Sequence, residues 1–265
     1  MFAPFSLPSK PIQQILIREA TTAESLDFCD VVPEHEEALT TKFLNTIQDK
    51  ASFIDSRDWT AEDRRLGLFW YWIHTTLDTY VELDYQCPHC QQTHTHQFDM
   101  RDLAEGYQEI EGMACRELVF ENRKLMVSPL TGKHMEELEE MRLSLMVEDN
   151  KSPAAARKKA EMRFYQLKAK LYLSDDHEKN AARREANLNN WLRELPETKY
   201  VALTKAVDAA VNEMTHGLPS KTSEDGKVML RSPLHTCPTI RKNESKEVTT
   251  ELLLPFRNYS RIPRV

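Results

Sequence analysis

Glycine is scarce in this chain. Six of its 265 residues are glycine, against an average use of about 7% in globular proteins. Because glycine supplies most of the positive-φ positions in turns and bulges, the sequence offers few places for such backbone. The scarcity predicts a chain in which helix dominates.

Long apolar runs are absent as well. No window reaches the roughly 18 consecutive apolar residues of a membrane-spanning helix. The segment Met1–Pro11 has prolines where a signal peptide would carry its apolar core. These features predict a soluble protein with no membrane contact that stays in a reducing cytoplasm.

Motifs of catalysis are also missing. The chain has no phosphate-binding loop, no nucleophile elbow, no HExxH and no carboxylates paired with a histidine at a catalytic spacing. We therefore expect a protein that is not an enzyme. The alternative is a redox or metal-dependent enzyme that uses Cys87 and Cys90.

The chain has no excess of positive charge. Its net charge of −7 and pI near 5.8 argue against a general nucleic-acid binder, because affinity for phosphate comes from basic surface. One predicted helix, which begins at Pro153, is nevertheless basic, with Arg157, Lys158, Lys159, Arg163, Lys168 and Lys170. A solvated face beside an acidic neighbour is the favoured interpretation, and a zinc-binding nucleic-acid adaptor is kept as an alternative function.

The five cysteines are an odd number for a disulfide framework, and such frameworks belong to small secreted domains. Two of them form the knuckle Cys87-Pro88-His89-Cys90 inside the segment 80–100, where apolar and polar residues alternate on both sides. The alternation predicts two strands joined as a hairpin with the knuckle at its tip. Two thiols at this spacing can converge on a soft metal ion, and no helix follows at once as in a dithiol redox motif. A metal site is therefore favoured.

A second Cys-Pro pair, Cys237-Pro238, lies between two further extended segments, 228–234 and 248–254. It follows a predicted helix, so the chain repeats the order helix, extended segment, Cys-Pro, extended segment. Ile240 stands where a second CxxC would have its last thiol. Two facing knuckles are how ribbon-type sites collect four ligands. The sequence thus predicts a metal site of Cys87, Cys90 and Cys237 that lacks one donor.

The fourth donor is open between Cys115 and His235. Cys115 would complete an all-thiolate site suited to zinc or to a 4Fe-4S cluster, whereas His235 would favour zinc, which is the preferred metal here. His94 and His96 are further possible ligands, but only one set of side chains on an alternating strand faces inward, and exposed histidines are commoner. The metal is expected to act as a structural staple worth on the order of 10 kcal/mol of folding free energy.

Helical periodicity predicts the remaining elements. A capping box at Thr60–Asp63 opens an amphipathic helix. Further helices are predicted over 33–49, 131–147, from Pro153, 186–195 and 198–214, and a second hairpin turns near Asn122. The predicted fold is α+β and helix-rich: two helix–β-hairpin units whose Cys-Pro knuckles meet around a metal site, with long helices inserted between them.

The expected organisation has five parts: an N-terminal arm at 1–20, a helical plus hairpin unit at 21–130, a helical middle region at 131–196, a second helix–hairpin unit at 197–256 and a tail at 257–265. Trp59, Trp70 and Trp72 give the first half of the capped helix more aromatic surface than one face needs. Burial on two sides would account for them. The alternative is a helix whose outer tryptophans bind a partner protein.

The chain also resembles a known family. The residues that carry the resemblance are, in order, Asp58-Trp59-Thr60, Asp63-Arg64, the aromatic helix, Cys87-Pro88-His89-Cys90 and Phe98-Asp99-Met100. They are similar to the baseplate hub subunit family of contractile-tailed bacteriophages of the T-even type. The segment 118–131 and the residues Gly217, Cys237 and Leu254-Pro255-Phe256 resemble that family's central hairpin and closing motif.

This resemblance implies a structural component of the phage baseplate hub. It implies a place in the virion tail after assembly in the bacterial host cytoplasm, with other hub proteins and the tail tape-measure protein as partners, and no catalytic residues. A hub assembly factor that is absent from the final particle is the alternative. The family usually carries a second complete CxxC, which this chain lacks at Ile240.

Overall fold

The computed structural model describes residues 2–29, 33–146, 152–222, 228–239 and 249–254, and the predicted tail at 257–265 and Ile240 lie outside these ranges. Within them the fold is α+β, with long helices and small antiparallel sheets. The helices are α1 (Thr22–Leu26), α2 (Glu36–Ile47), α3 (Ala61–Thr75), α4 (Gly132–Met146), α5 (Pro153–Ala169), α6 (Ala181–Glu194) and α7 (Glu197–Glu213). No helix in the described ranges is long and apolar enough to cross a membrane.

The strands form five small sheets. Their bounds are β1 (Phe5–Leu7), β2 (Lys10–Ile15), β3 (Tyr80–Gln86), β4 (Thr93–Asp99), β5 (Arg116–Phe120), β6 (Arg123–Val127), β7 (Leu171–Leu173), β8 (Ser220–Thr222), β9 (Val228–Arg231), β10 (His235–Thr236), β11 (Thr249–Thr250) and β12 (Leu253–Leu254). The pairings are β1–β2, β3–β4, β5–β6–β7, β8–β9–β12 and β10–β11. The two predicted hairpins, β3–β4 and β5–β6, are confirmed.

The first core forms around α3. The predicted capping box is confirmed: the Thr60 hydroxyl accepts a hydrogen bond from the Asp63 N–H at 3.1 Å, and the Asp63 carboxylate accepts one from the Thr60 N–H at 3.1 Å. Apolar side chains of α3 pack against α2 and against the N-terminal strands. Most of α3 is buried as a result, so it is a core helix.

The N-terminal segment differs from the expected arm. Strands β1 and β2 form a hairpin in the first core, and Leu7 and Ile15 are completely buried. Asp63 holds this hairpin, because its carboxylate accepts hydrogen bonds from the N–H and the hydroxyl of Ser9. The expectation of an arm at 1–20 is wrong because its apolar residues cover α3.

The same packing supports burial on two sides, rather than binding of a partner, as the reason for the tryptophans. Trp59 and Trp72 are 1% and 6% exposed and lie in the first core. Phe5 of the N-terminal hairpin lies 6.3 Å from Trp59 and 5.7 Å from Trp70, between ring centroids. Trp70 is half-buried and donates its Nε1–H to the carbonyl of Ala3. The extra aromatic surface is therefore covered within the chain itself.

A second core joins the β5–β6–β7 sheet to α5, α6 and α7. Helix α7 thus packs with the middle of the chain, while the strands that follow it turn back to the first core. Leu230 of β9 and Leu254 of β12 are buried there beside residues of α3. This return path carries the segment around Cys237 toward the β3–β4 hairpin.

Buried charges join α2, α3 and α4. Glu37 accepts hydrogen bonds from Arg64 at 3.1 Å and from Arg65 at 2.5 Å, and all three side chains are almost fully buried. Glu139 of α4 accepts the N–H groups of Glu37 and Ala38, and so caps the first turn of α2. Burial opposes ionisation of Glu37, but Arg65 and Arg64 outweigh it and lower the pKa of that carboxyl. The pKa of Glu139 is raised, chiefly by burial.

Candidate metal centre

The tip of the β3–β4 hairpin presents the CPHC knuckle. The register pairs Tyr85 with His94 and Gln86 with Thr93, so the loop runs from Cys87 to Gln92. The N–H of Cys87 donates to the carbonyl of Gln92 at 2.9 Å, and the N–H of Gln91 donates to the carbonyl of Cys87 at 2.8 Å. Gln91 takes a positive φ of 59° to close the turn. These bonds fix both thiols on one side of the loop.

The second Cys-Pro segment lies against this tip. Cys237 follows β10, which pairs with β11 through His235 opposite Thr250 and Thr236 opposite Thr249. Hydrogen bonds cross between the segments, among them those from the ring of His89 to the carbonyl of Thr249 and from the hydroxyl of Thr239 to the side-chain oxygen of Gln92. Cys237 is 1% exposed and Cys87 is completely buried.

Four possible ligand atoms converge between the two segments. The sulfurs of Cys87, Cys90 and Cys237 and a ring nitrogen of His94 all lie within 4.8 Å of one another. Cys90 Sγ and His94 Nε2 lie 3.1 Å apart. Tetrahedral zinc, with bonds of about 2.3 Å to sulfur and about 2.0 Å to nitrogen, would hold such atoms about 3.5 to 3.8 Å apart. The donor set therefore fits a zinc ion, and it could hold other soft metals.

Local hydrogen bonds prepare Cys87 for the ligand state. Burial is the largest influence on the pKa of its thiol and would raise it. The backbone N–H groups of Cys90 and His89, and then the thiols of Cys237 and Cys90, outweigh burial and lower that pKa. Since the thiolate is the metal ligand, this loop favours the form of Cys87 that binds.

The fourth member of the cluster is His94, in place of the expected Cys115 or its alternative His235. Cys115 is half-buried just before β5, and its N–H donates to the carbonyl of Met113; it is not part of the cluster. His235 lies beside the cluster, stacked on His96 with ring centroids 3.9 Å apart. Cys87, Cys90 and Cys237, in contrast, are brought together as predicted.

The sequence contained a signal for His94. Tyr85 is one of the less polar residues in the alternation before the knuckle, and the hairpin pairs His94 directly with it, so both side chains lie on the same face. His94 also follows Cys90 by four residues, which lets it return to the knuckle from the next strand. The greater frequency of exposed histidines counted against His94 as a ligand, but its side chain lies on the face of the hairpin that carries the cluster.

The inner face beside the cluster is poor in hydrogen-bond partners. Among the described residues, the hydroxyl of Tyr85 and Nε2 of His96 are buried without one. Burial, followed by the charge of His235, lowers the pKa of His96. Burial, followed by the nearby cysteines, raises the pKa of Tyr85. Both shifts favour the neutral forms of His96 and Tyr85 near pH 7.

The basic helix predicted from Pro153 is α5, and acidic neighbours pair with part of it. Lys168 contacts Glu185 at 2.7 Å, and Lys170 contacts Asp208 at 3.1 Å. These pairs agree with the interpretation of a solvated face beside acids and reduce the charge available to phosphate.

Comparison of the chain with family models, curated proteins and solved structures gives no match.

Proposed function

We propose that this chain is a structural assembly subunit without enzymatic activity, and that zinc bound by Cys87, Cys90, His94 and Cys237 closes its fold. The observation that supports this proposal is the convergence of four donors from two segments far apart in sequence. Four protein donors fill a tetrahedral coordination shell, and a filled shell is typical of structural rather than catalytic zinc.

The donor set favours zinc over an iron–sulfur cluster. Clusters of the 4Fe-4S type are held by four thiolates as a rule, whereas three cysteines and one histidine are a common set for structural zinc. When bound, zinc would contribute about 10 to 16 kcal/mol to the folded state at neutral pH. The chain's own residues also favour the closed site, because the knuckle and β10 hold the donors close together.

We place this subunit in the baseplate hub of a contractile phage tail. The support is the order of Trp59, the capped helix, the CPHC knuckle and Cys237, which resembles that hub family over most of the chain. Hub proteins and the tape-measure protein would be its partners, and the virion tail its location. A metal staple suits this role, since a part of an assembly needs a rigid surface.

Elemental analysis tests the metal. Protein purified without oxygen should be colourless and contain one zinc per chain. The variant Cys237→Ser should lose that zinc, and the variant Cys29→Ser should keep it, because Cys29 is outside the cluster. A coloured protein with iron and sulfide would overturn the zinc assignment. A metal-free wild-type protein that is fully stable would show that the fold does not depend on a bound metal.

Complementation tests the place in the tail. A phage that lacks this gene is supplied with the wild-type chain, with Cys29→Ser or with Cys237→Ser. The first two should restore infectious particles, and Cys237→Ser should yield few assembled tails. Mass spectrometry of purified virions distinguishes a hub component, which is present, from an assembly factor, which is not. Full complementation by a Cys237→Ser chain without zinc would contradict the proposal.

A further inference from the structure

A cavity of about 280 Å³ lies between three helices, far in sequence from the CPHC knuckle. The first turns of α4 form one wall, the end of α5 and the strand β7 form the second, and the start of α6 forms the third. The side chains that line it include three cations, Lys133, Lys168 and Arg184. The cavity is close to the lower size limit of small-molecule sites.

Arg184 has hydrogen-bonding capacity left over. Its Nη1 donates to the hydroxyl of Tyr172 at 3.1 Å, and its guanidinium lies 5.4 Å from the centre of that ring. These contacts hold the guanidinium in one place. Its Nε is buried, and no residue in the described part of the chain accepts a hydrogen bond from it. A buried cationic donor without an acceptor is uncommon and points to a ligand that supplies one.

The two carboxylates of the cavity are already engaged. Glu137 accepts a hydrogen bond from the hydroxyl of Tyr165, and Glu185 accepts one from Lys168 at 2.7 Å. Three cations against two carboxylates leave the cavity positive, although the whole chain carries a net charge of −7. A cationic ligand is disfavoured by this balance.

His134 adds a neutral donor. Its Nδ1 accepts a hydrogen bond from the N–H of Thr131 at 3.2 Å, so the proton of the neutral ring lies on Nε2. Burial is the largest of the influences that lower the pKa of His134, and the ring is neutral near pH 7. A site with guanidinium, ammonium and imidazole N–H donors is suited to an oxyanion.

We propose that this cavity binds a small phosphate-bearing anion, which is either free phosphate or the phosphate group of a small ester. Arg184 would bind the phosphate oxygens through its unused N–H groups. Lys133 would add a second positive charge, and the ammonium of Lys168, whose charge is paired with Glu185, would offer a further N–H donor. The limited volume admits a phosphate with a short organic group and excludes a nucleic-acid strand.

Titration calorimetry at low ionic strength tests the site, with inorganic phosphate and glycerol 3-phosphate in separate titrations. Wild-type protein should bind one equivalent of at least one of them. Arg184→Gln should bind it at least tenfold more weakly. Arg183→Gln is the matched control: it removes the same charge from the same helix, but Arg183 is exposed and does not line the cavity.

The two titrations identify the source of the phosphate. Saturation by both ligands with similar affinity means that free phosphate is sufficient, and saturation by the ester alone means that its organic group is required. Absence of saturable binding by wild type, or equal binding by wild type and Arg184→Gln, would overturn the proposal. If Arg184→Gln does not fold, Lys133→Met is the variant to test, because Lys133 is exposed on α4 and its replacement should not prevent folding. Phosphate affinity that is unchanged in Lys133→Met would also overturn the proposal.

Discussion

His94 shows how one residue determines the character of the site. It places a neutral nitrogen beside three sulfurs, so the bound zinc site would carry one negative charge less than an all-cysteine site. It also lies on β4, whereas Cys87 and Cys90 lie in the loop, so metal binding would tie the strand to the loop. Cys237 then adds the distant segment.

A comparison of two variants tests this ligand assignment. His94→Ala should weaken zinc binding by at least tenfold, because it removes one of four donors, and Cys115→Ser should leave zinc affinity unchanged, because Cys115 is outside the cluster. Competition with a chromogenic chelator measures both affinities. The reverse result, with loss in Cys115→Ser alone, would show that the fourth donor is the cysteine.

Glu37 is expected to contribute strongly to stability through its buried ion pairs. Glu37→Gln would remove the carboxylate that buried Arg64 and Arg65 share, although Arg65 keeps Glu36 at 3.8 Å, and loss of one member of a buried pair costs about 3 to 5 kcal/mol. Urea denaturation at pH 7 measures the loss. Glu34→Gln, the same change at an exposed position three residues earlier, should have little effect.

The pH dependence of this difference has a definite sign. The folded-state pKa of Glu37 is lowered, so its contribution is complete above the ordinary carboxyl pKa and is lost as the pH falls through the lower folded value. The gap in stability between wild type and Glu37→Gln should therefore shrink on strong acidification. A gap that widens as the pH falls would contradict the role assigned to Arg64 and Arg65.

At the scale of elements, α4 can approach its neighbours closely because it begins with a glycine. A Cβ at Gly132 would lie 2.0 Å from Nη1 of Arg64 and 2.6 Å from the carbonyl oxygen of Ser56. Gly132 also pairs its N–H with the carbonyl of Trp59. No other small residue fits without movement of backbone.

Gly132→Ala should accordingly destabilise the protein by about 1 to 3 kcal/mol, the usual cost of overpacking, although alanine is the better helix former. Thermal and urea melts measure the change. A variant as stable as wild type would show that α4 can move away from Ser56 at little cost, and that the close approach does not contribute to the free energy of unfolding.

Local signals predicted most elements of this fold. The capping box at Thr60, the alternation around the CPHC knuckle and Pro153 at a helix start all appear where expected, since each depends on neighbours in sequence. The N-terminal hairpin and β7 were not predicted. Their strands are short, and they are extended because they pair with or cover distant parts of the chain, which periodicity cannot detect.

The candidate site was predictable to a similar degree. Two Cys-Pro pairs with similar flanking segments were sufficient to predict that Cys87, Cys90 and Cys237 lie together. The fourth donor required the strand register, which fixes whether His94 or a distant residue faces the sulfurs. Arg184 and its cavity had no sequence signal, because three helices from separate regions build it.

At the scale of the whole molecule, the β10–β11 pair depends on the cluster. Each of these strands has two residues, and they contact the β3–β4 hairpin through the cluster, a few hydrogen bonds and the ring of His235, which lies against His96 and Tyr85. The second core, in contrast, is built by α5–α7 and the β5–β6–β7 sheet without any cluster residue. The two regions should respond differently to metal removal.

Hydrogen exchange measures that response. Treatment with a chelator should abolish protection at Thr236, Thr249 and the tip of the β3–β4 hairpin, and should leave α6 and α7 protected. Added zinc should restore the lost protection. Equal loss of protection in both cores would show that the metal stabilises the entire chain as one cooperative unit.

The distance in sequence between the donors also sets an order of events during synthesis. Cys87, Cys90 and His94 lie on one hairpin, and Cys237 follows Cys90 by 147 residues, from position 90 to position 237. At a translation rate of about 5 to 20 residues per second, the last donor emerges about 7 to 30 s after the first three. A zinc ion bound during that interval would have three donors from the nascent hairpin and a fourth position for a small thiol or water. Cys237 would then displace that occupant, so closure of the site would mark the moment at which the C-terminal strands have reached the first core.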